Sequence, residues 1–275
     1  MSLDLDPRQR AMLQEMGLRV WSPVALVQTP TQAETVPKGQ AALSVPTKTQ
    51  TRQVSRSELP ANDPAHVGAL PDNIATMDWS TLGRSIATCQ ACQLCNGRRT
   101  TVFGATDSPC EADWMVVGEP PDEAQEQAGK PFTGQAGQLL DNMLKAVKLS
   151  RHVSTQVRSA AAYVTNVVKC RPSTPRNPAP EELATCESYL RREIALVQPK
   201  IILALGRFAA QALLQGSTPE VVGIPLGQLR SQIHHYRDIP VVVTYHPDYL
   251  LRSPQHKARA WADLCLAQAH LKRAT

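Results

Sequence analysis

The stretch WMVVGE, residues 114–119, decides the fold. Trp114 to Val117 is a continuous apolar run, too short for a helix and without polar alternation. A strand covered on both faces reads in this way. Gly118 and Glu119 follow at once, a turn residue and a carboxylate. Three further runs share this character: Tyr163–Val168, Ile201–Leu205 and Val241–Tyr245. Helical periodicity separates them. Beyond Gly137, Leu139, Leu140, Met143, Leu144 and Val147 form one stripe. From Pro180-Glu181-Glu182 onward, Leu183, Cys186, Leu190, Ile194 and Val197 form another. A third helix is expected near Arg207 and a last one over about residues 255–271. Strands alternating with helices predict an α/β, doubly wound sandwich: a central, mostly parallel four-stranded sheet with helices on both faces.

Open sheets of this kind bind ligands beyond the carboxyl ends of their strands. The residues expected there are Gly118-Glu119, Asn166, Gly206 and His246. Each alone is an ordinary structural residue. A carboxylate, an amide and an imidazole gathered at one sheet edge instead favour a site.

The rest of the chain bounds the function. Its 275 residues suit one or two domains. No apolar run approaches the ~20 residues that span a bilayer, and MSLDLDPRQR lacks a secretory profile. A cytoplasmic protein without membrane association is expected, with reduced cysteines. Residues 23–75 hold seven prolines and no aromatic residue, which reads as a disordered linker. Ahead of it, residues 1–22 carry a short helical segment, with Asp6 as cap, Pro7 in the first turn, and Met12, Leu13 and Met16 on one face. Such a helix docks either on a protein partner or on its own domain, which is placed at 76–275. The net charge of +5 belongs entirely to that domain, because residues 1–75 hold seven bases and seven acids. Within it the signs segregate. Glu111 to Glu126 contains six acids and no base, whereas Lys145 to Arg176 contains seven bases and no acid. A cationic band beside an acidic loop suits a polyanion, and equally an ordinary solvated surface.

Seven cysteines, an odd number, exclude a simple disulfide framework. Cys89-x2-Cys92 can bring two thiolates to one centre, and Cys170 and Cys186 add two more. The second pair is not CxxC, so a two-knuckle zinc ribbon fits poorly. Zinc and an iron–sulfur cluster both remain open on spacing. Cys95 competes as a ligand, Cys186 lies on an apolar stripe, Cys110 reads as a loop thiol, and Cys265 reads as core beside Trp261 and Leu264.

Five segments together carry a resemblance. They are CQACQLCNGRR from Cys89, VVGEPPDEAQEQAGKPFTGQAGQLL from Val116, TNVVKCRPSTPRNPAPEELATC from Thr165, ALGRFAAQALL from Ala204, and TYHPDYLLR from Thr244. In order and spacing, from about Trp79 to Leu271, the chain resembles the family 4 uracil-DNA glycosylases, repair enzymes that carry a [4Fe–4S] cluster. The resemblance implies cluster ligands Cys89, Cys92, Cys170 and Cys186, with the other cysteines free. It implies a monofunctional hydrolase acting on uracil-containing DNA, whose target base is flipped into a pocket; the chain is expected to be a monomer. Glu119 would orient water or stabilise the sugar cation, and His246 would stabilise the departing base at O2. Phe132 would be a stacking platform. Asn166 would face uracil N3 and O4, donating to O4, with Gly118 and Gln125 lining the pocket. Leu251 and Arg252 of PDYLLRSPQ, Arg171 and Gly134 would contact DNA, although packing alone also explains Leu250, Leu251 and the glycines Gly134 and Gly137.

Two positions depart from the family pattern. Asp122 stands where a glycine is usual, and its added carboxylate would face DNA. Gln125 stands where a glutamate is usual, with Glu126 as a neighbouring substitute. These departures frame the alternative of a DNA-binding or damage-sensing member with weakened catalysis.

Overall fold

The computed structural model describes residues 68–104, 111–151, 160–173, 176–216 and 219–274. The expected N-terminal helix, the linker up to residue 67, Cys110 and Arg158 lie outside the described residues. Five strands form one sheet: β1 (Trp114–Gly118), β2 (Ala162–Asn166), β3 (Ile201–Leu205), β4 (Ile233–Tyr236) and β5 (Ile239–Thr244), in the order β2-β1-β3-β5-β4. The four apolar runs are the four parallel strands. The fifth, β4, pairs antiparallel with β5, so the expectation of four strands is corrected to five. Its sequence, IHHY, is partly exposed along its length and sits at the sheet edge, so it lacks the continuous apolar run that marks a buried strand.

Eight α-helices accompany the sheet: α1 (Trp79–Thr88), α2 (Glu123–Ala128), α3 (Gly134–Ala146), α4 (Pro180–Val197), α5 (Arg207–Leu214), α6 (Leu226–Leu229), α7 (Pro247–Arg252) and α8 (Lys257–Ala274) among the described residues. Alternate strand residues face opposite layers. Met115, Val117, Ile202, Ala204, Val241 and Val243 join one core with α1, α4 and α5. Trp114, Val116, Ile201, Leu203, Leu205 and Val242 join the other with α3 and α8. Leu139, Leu140, Met143, Leu144 and Val147 are all buried, as their stripe requires. Cys265, expected in the core, is only half-buried on α8, whereas its neighbour Leu264 is fully buried. No described helix is long and apolar enough to cross a membrane.

The packed chain begins before the expected boundary at residue 76. Gly68 N donates to Gln90 O at 2.8 Å, and Ile74, in a 3₁₀ turn over Ile74–Thr76, is buried in the core shared with α4. An isoleucine with a ready apolar partner outweighs the surrounding Pro-rich composition.

Two buried polar groups fix the strands that lead to the site. Glu193 of α4 accepts from Tyr163 Oη at 2.9 Å, Thr165 Oγ1 at 3.1 Å and Lys169 Nζ at 2.5 Å. Asp263 of α8 accepts from Thr244 Oγ1 at 2.6 Å and Arg230 Nε at 2.8 Å. Burial pushes the Asp263 carboxyl above its usual range, against the opposing pull of those two bonds. In register, Gly118 lies beside Asn166 and Leu205 beside Thr244. The carboxyl ends of the parallel strands are thereby level, and Glu119, Asn166, Gly206 and His246 leave the sheet at one edge.

Candidate active site

Glu119 follows β1 directly and turns across to the start of α5. Its Oε1 accepts from Phe208 N at 3.0 Å, a free amide at the positive end of that helix. Gly206 makes this possible. It has φ of +100°, and a Cβ there would collide with the Glu119 carboxylate. Burial raises the Glu119 pKa above its ordinary value, while the Phe208 amide, His246 and Arg207 pull it back. The result is a carboxylate held partly out of water, the condition under which a base or charge stabiliser is effective.

Asn166, the last residue of β2, is 1% exposed. Its Nδ2 donates to Glu119 O at 2.7 Å and to Gln125 Oε1 at 3.0 Å, and its Oδ1 is buried without a partner. For Asn166 to donate to uracil O4, as expected, one of these two acceptors would have to yield its hydrogen to the base. Both donor hydrogens of Asn166 are already committed, and the atom left for a ligand is the acceptor.

The two departures from the family pattern work together. Asp122 has φ of −89° and Oδ1 accepting from Gln125 N at 2.8 Å, so it is the N-cap of α2. The backbone there needs no glycine, and the carboxylate is bound to its own helix. That cap fixes Gln125, whose Oε1 accepts from Phe132 N at 3.0 Å as well as from Asn166. Glu126 does not substitute for it. Its carboxylate faces away from the pocket, accepting from Arg99 N at 3.1 Å and Arg171 Nε at 2.8 Å. Burial alone would raise the Glu126 pKa, but these bonds hold it below the usual carboxylate range.

Phe132 has φ of +52°, the left-handed region that a bulky residue rarely adopts. Gln125 holds its amide, and Arg151 Nη1 holds its carbonyl at 2.8 Å, with Arg151 itself bound through Nε to Asp141 at 2.6 Å. The ring edge lies so close over Gly118 that any Cβ there would collide with it. The ring is 1% exposed and stacked on His246, with centroids 5.1 Å apart. The Phe132 ring is therefore not an open platform: it is buried, with the His246 ring lying over it.

His246 is the N-cap of α7. Its Nδ1 accepts from Asp248 N at 3.3 Å and lies 3.4 Å from Asp248 Oδ2, while its Nε2 is buried with no partner. The occupied Nδ1 leaves Nε2 as the nitrogen available to a ligand. The same short helix separates the two leucines. Leu250 is fully buried, whereas Leu251 is 37% exposed and sits beside exposed Arg252. Gly134 opens α3, which packs against α7. It has φ of +64° and open space where a Cβ would be.

The cationic band is largely neutralised. Arg151 pairs with Asp141, Lys169 with Glu193, Arg171 with Glu126 and Arg176 with Glu182. Arg171, expected at DNA, is thus tied to Glu126, the α2 carboxylate that the sequence offered as a neighbouring substitute for the usual glutamate. Sequence gave no sign of the Asp141–Arg151 clamp, because neither residue belongs to a motif.

The four expected cysteine ligands come together. Cys89, Cys92, Cys170 and Cys186 line one cavity, and Cys95, Arg98, Lys169 and Tyr189 are among the other residues of its wall. Arg98 Nη1 donates to Cys170 Sγ at 3.2 Å. Burial pushes the Cys92 thiol up to about 11 and the Cys186 thiol to about 12. Among the described residues, no three Cys, His, Asp or Glu side chains close around a single-ion centre.

With this geometry in place, comparison with known proteins is decisive. The uracil DNA glycosylase superfamily matches residues 105–265. The chain belongs to the uracil-DNA glycosylase superfamily. Within this superfamily, a type-4 uracil-DNA glycosylase of Pyrobaculum aerophilum is 34% identical over 196 residues, covering 69% of this chain and 93% of the relative. A type-4 enzyme of Archaeoglobus fulgidus is 34% identical over 176 residues, 62% of this chain and 82% of its own. A type-5 uracil-DNA glycosylase of Pyrobaculum aerophilum matches less of the chain, 50%, at 32% identity.

Proposed function

We propose that this chain is a monofunctional uracil-DNA glycosylase of the type-4 kind, which draws uracil out of DNA and hydrolyses its N-glycosidic bond. One observation carries the reading. Asn166 Oδ1 and His246 Nε2 are both buried without partners, in a connected cluster with Glu119. An unsatisfied buried polar group costs about 1–3 kcal/mol, a cost that a bound ligand removes. Uracil supplies both partners, an N3–H for Asn166 Oδ1 and an O2 for His246 Nε2–H.

Bond cleavage leaves positive charge on the sugar and negative charge on the base. His246 Nε2–H stabilises the anion at O2, and the Glu119 carboxylate orients water toward the sugar and opposes its charge. Leu251, the exposed leucine of α7, fills the space of the extruded base, with Arg252 and the amide of Gly134 against phosphate. Purified protein is expected to release free uracil from a uracil oligonucleotide and leave an alkali-labile site. Salt-sensitive DNA binding with the oligonucleotide intact after hours would instead establish the damage-sensing alternative.

The cysteine cavity suits a [4Fe–4S] cluster better than zinc, because the four expected ligands, with Cys95 as a fifth lining thiol, surround a space rather than a point. Cys89, Cys92, Cys170 and Cys186 would hold the cluster, and Arg98 and Lys169 offset its negative charge. When bound, the cluster cross-links the end of α1, the loop after β2 and α4. The expected protein is brown, with about four irons per chain. A colourless protein with one zinc would overturn this assignment.

A further inference from the structure

Arg98 joins two parts of the cysteine cavity that lie far apart in sequence. Its Nη1 donates to Cys170 Sγ at 3.2 Å, and its Nη2 donates to Ala87 O at 3.1 Å. Cys170 lies in the loop after β2. Ala87 belongs to the last turn of α1, two residues before Cys89, where the carbonyls have no partner within the helix. One planar guanidinium thus spans the loop that supplies Cys170 and the helix end that leads to Cys89. Its positive charge also suits the negative end of α1. The other cation of the cavity wall cannot take this part. Lys169 has three ammonium hydrogens, and Thr165 Oγ1, Asn166 O and Glu193 Oε2 accept them. The Lys169 ammonium therefore acts on the cavity through its charge, whereas Arg98 addresses a thiol sulfur directly.

We propose that Arg98 is a positioning residue of this centre: it holds Cys170 and the end of α1 in place for the cluster, and its hydrogen bond to the Cys170 sulfur raises the cluster's reduction potential. The inference rests on the iron–sulfur reading above. A cluster and its four thiolates together carry net negative charge, and reduction adds more. A charged donor aimed at a ligand sulfur withdraws electron density from it and so favours the reduced state. Tying the Cys170 loop to the helix end before Cys89 also leaves less of the ligand set to be ordered when the cluster enters. Both effects are read on the cluster itself and not on uracil release.

The experiment compares the cluster-loaded full chain with Arg98→Met, Arg98→Lys and, as a control, Arg84→Met. Arg84 is exposed on α1, and its side chain bonds Thr81 Oγ1 at 3.1 Å, away from the thiols. Two quantities are measured: the midpoint of a redox titration followed by electron paramagnetic resonance, and the rate at which a chelator bleaches the brown colour. In Arg98→Met the midpoint should fall and iron loss should accelerate about tenfold or more, the usual effect of removing an outer partner of a metal centre. Arg98→Lys keeps the charge but not the planar fork. It should bring the midpoint back toward the wild-type value while iron loss stays fast, because one ammonium does not bridge Cys170 and Ala87. If Arg98→Met purifies colourless, its iron loss is complete and the lysine variant supplies the midpoint. A midpoint and an iron-loss rate equal to wild type in both Arg98 variants, or the same changes in Arg84→Met, overturn this role and leave the four cysteines as ligands. A wild-type chain that carries no iron overturns the cluster reading as well.

Discussion

Replacing Glu119 by Gln is expected to slow single-turnover uracil release by about 10²–10⁴-fold, the usual contribution of a positioned acid–base group. Glutamine keeps an oxygen for the Phe208 amide, so the local fold should survive while the negative charge is lost. The pH dependence makes this specific. Burial raises the Glu119 pKa above 4.5, even with the Phe208 amide, His246 and Arg207 opposing it. Wild-type kcat/KM should therefore fall as pH drops through this raised value, on an acid limb displaced upward from an ordinary glutamate. Stability has the opposite sign. A carboxyl group with a raised folded-state pKa favours the folded state as pH falls, and that contribution is lost as pH rises through the raised value. At neutral pH the ionised Glu119 thus costs stability, and Glu119→Gln should melt no lower than wild type. An acid limb that persists unchanged in the variant would remove Glu119 from the chemistry.

Sequence shows the parallel strands because both of their faces are covered, which makes Trp114–Val117 and Ile201–Leu205 uniformly apolar. It does not show β4, whose two histidines sit on a half-exposed edge. The site is legible as far as strand ends are, since register alone brings Glu119, Asn166 and His246 level. What sequence cannot give is which atom of each group points where. Nothing in the sequence shows that Asn166 Nδ2 bonds both the Glu119 carbonyl and Gln125 Oε1. Phe132 looks like an open platform until His246 lies on it. The cationic band looks like a DNA surface, yet Arg171 and Arg151 answer carboxylates 45 and 10 residues away in sequence. Such pairings between distant residues leave no local pattern.

Lys169→Met is expected to be the most destabilising substitution in the domain, at about 3–5 kcal/mol, the range found when one member of a buried ion pair is removed. Lys169 is 1% exposed, and its ammonium donates to Thr165 Oγ1 at 2.6 Å, Asn166 O at 2.9 Å and Glu193 Oε2 at 2.5 Å. Without it Glu193, fully buried, keeps only the hydroxyls of Tyr163 and Thr165. The cost lies in the stranded charge, not in the volume, because methionine fills nearly the same space. Removing both charges in Lys169→Met with Glu193→Met should therefore recover much of the loss, as measured by the urea midpoint at constant slope. A double variant no more stable than the single one would show that packing, not charge, is at stake. Position explains why this lysine matters beyond stability. It bonds the carbonyl of Asn166 on one side and precedes Cys170 on the other, and it lines the cysteine cavity. The base pocket and the cavity that would hold the cluster are thus parts of one polar core, so Lys169→Met should lower iron retention and uracil affinity together.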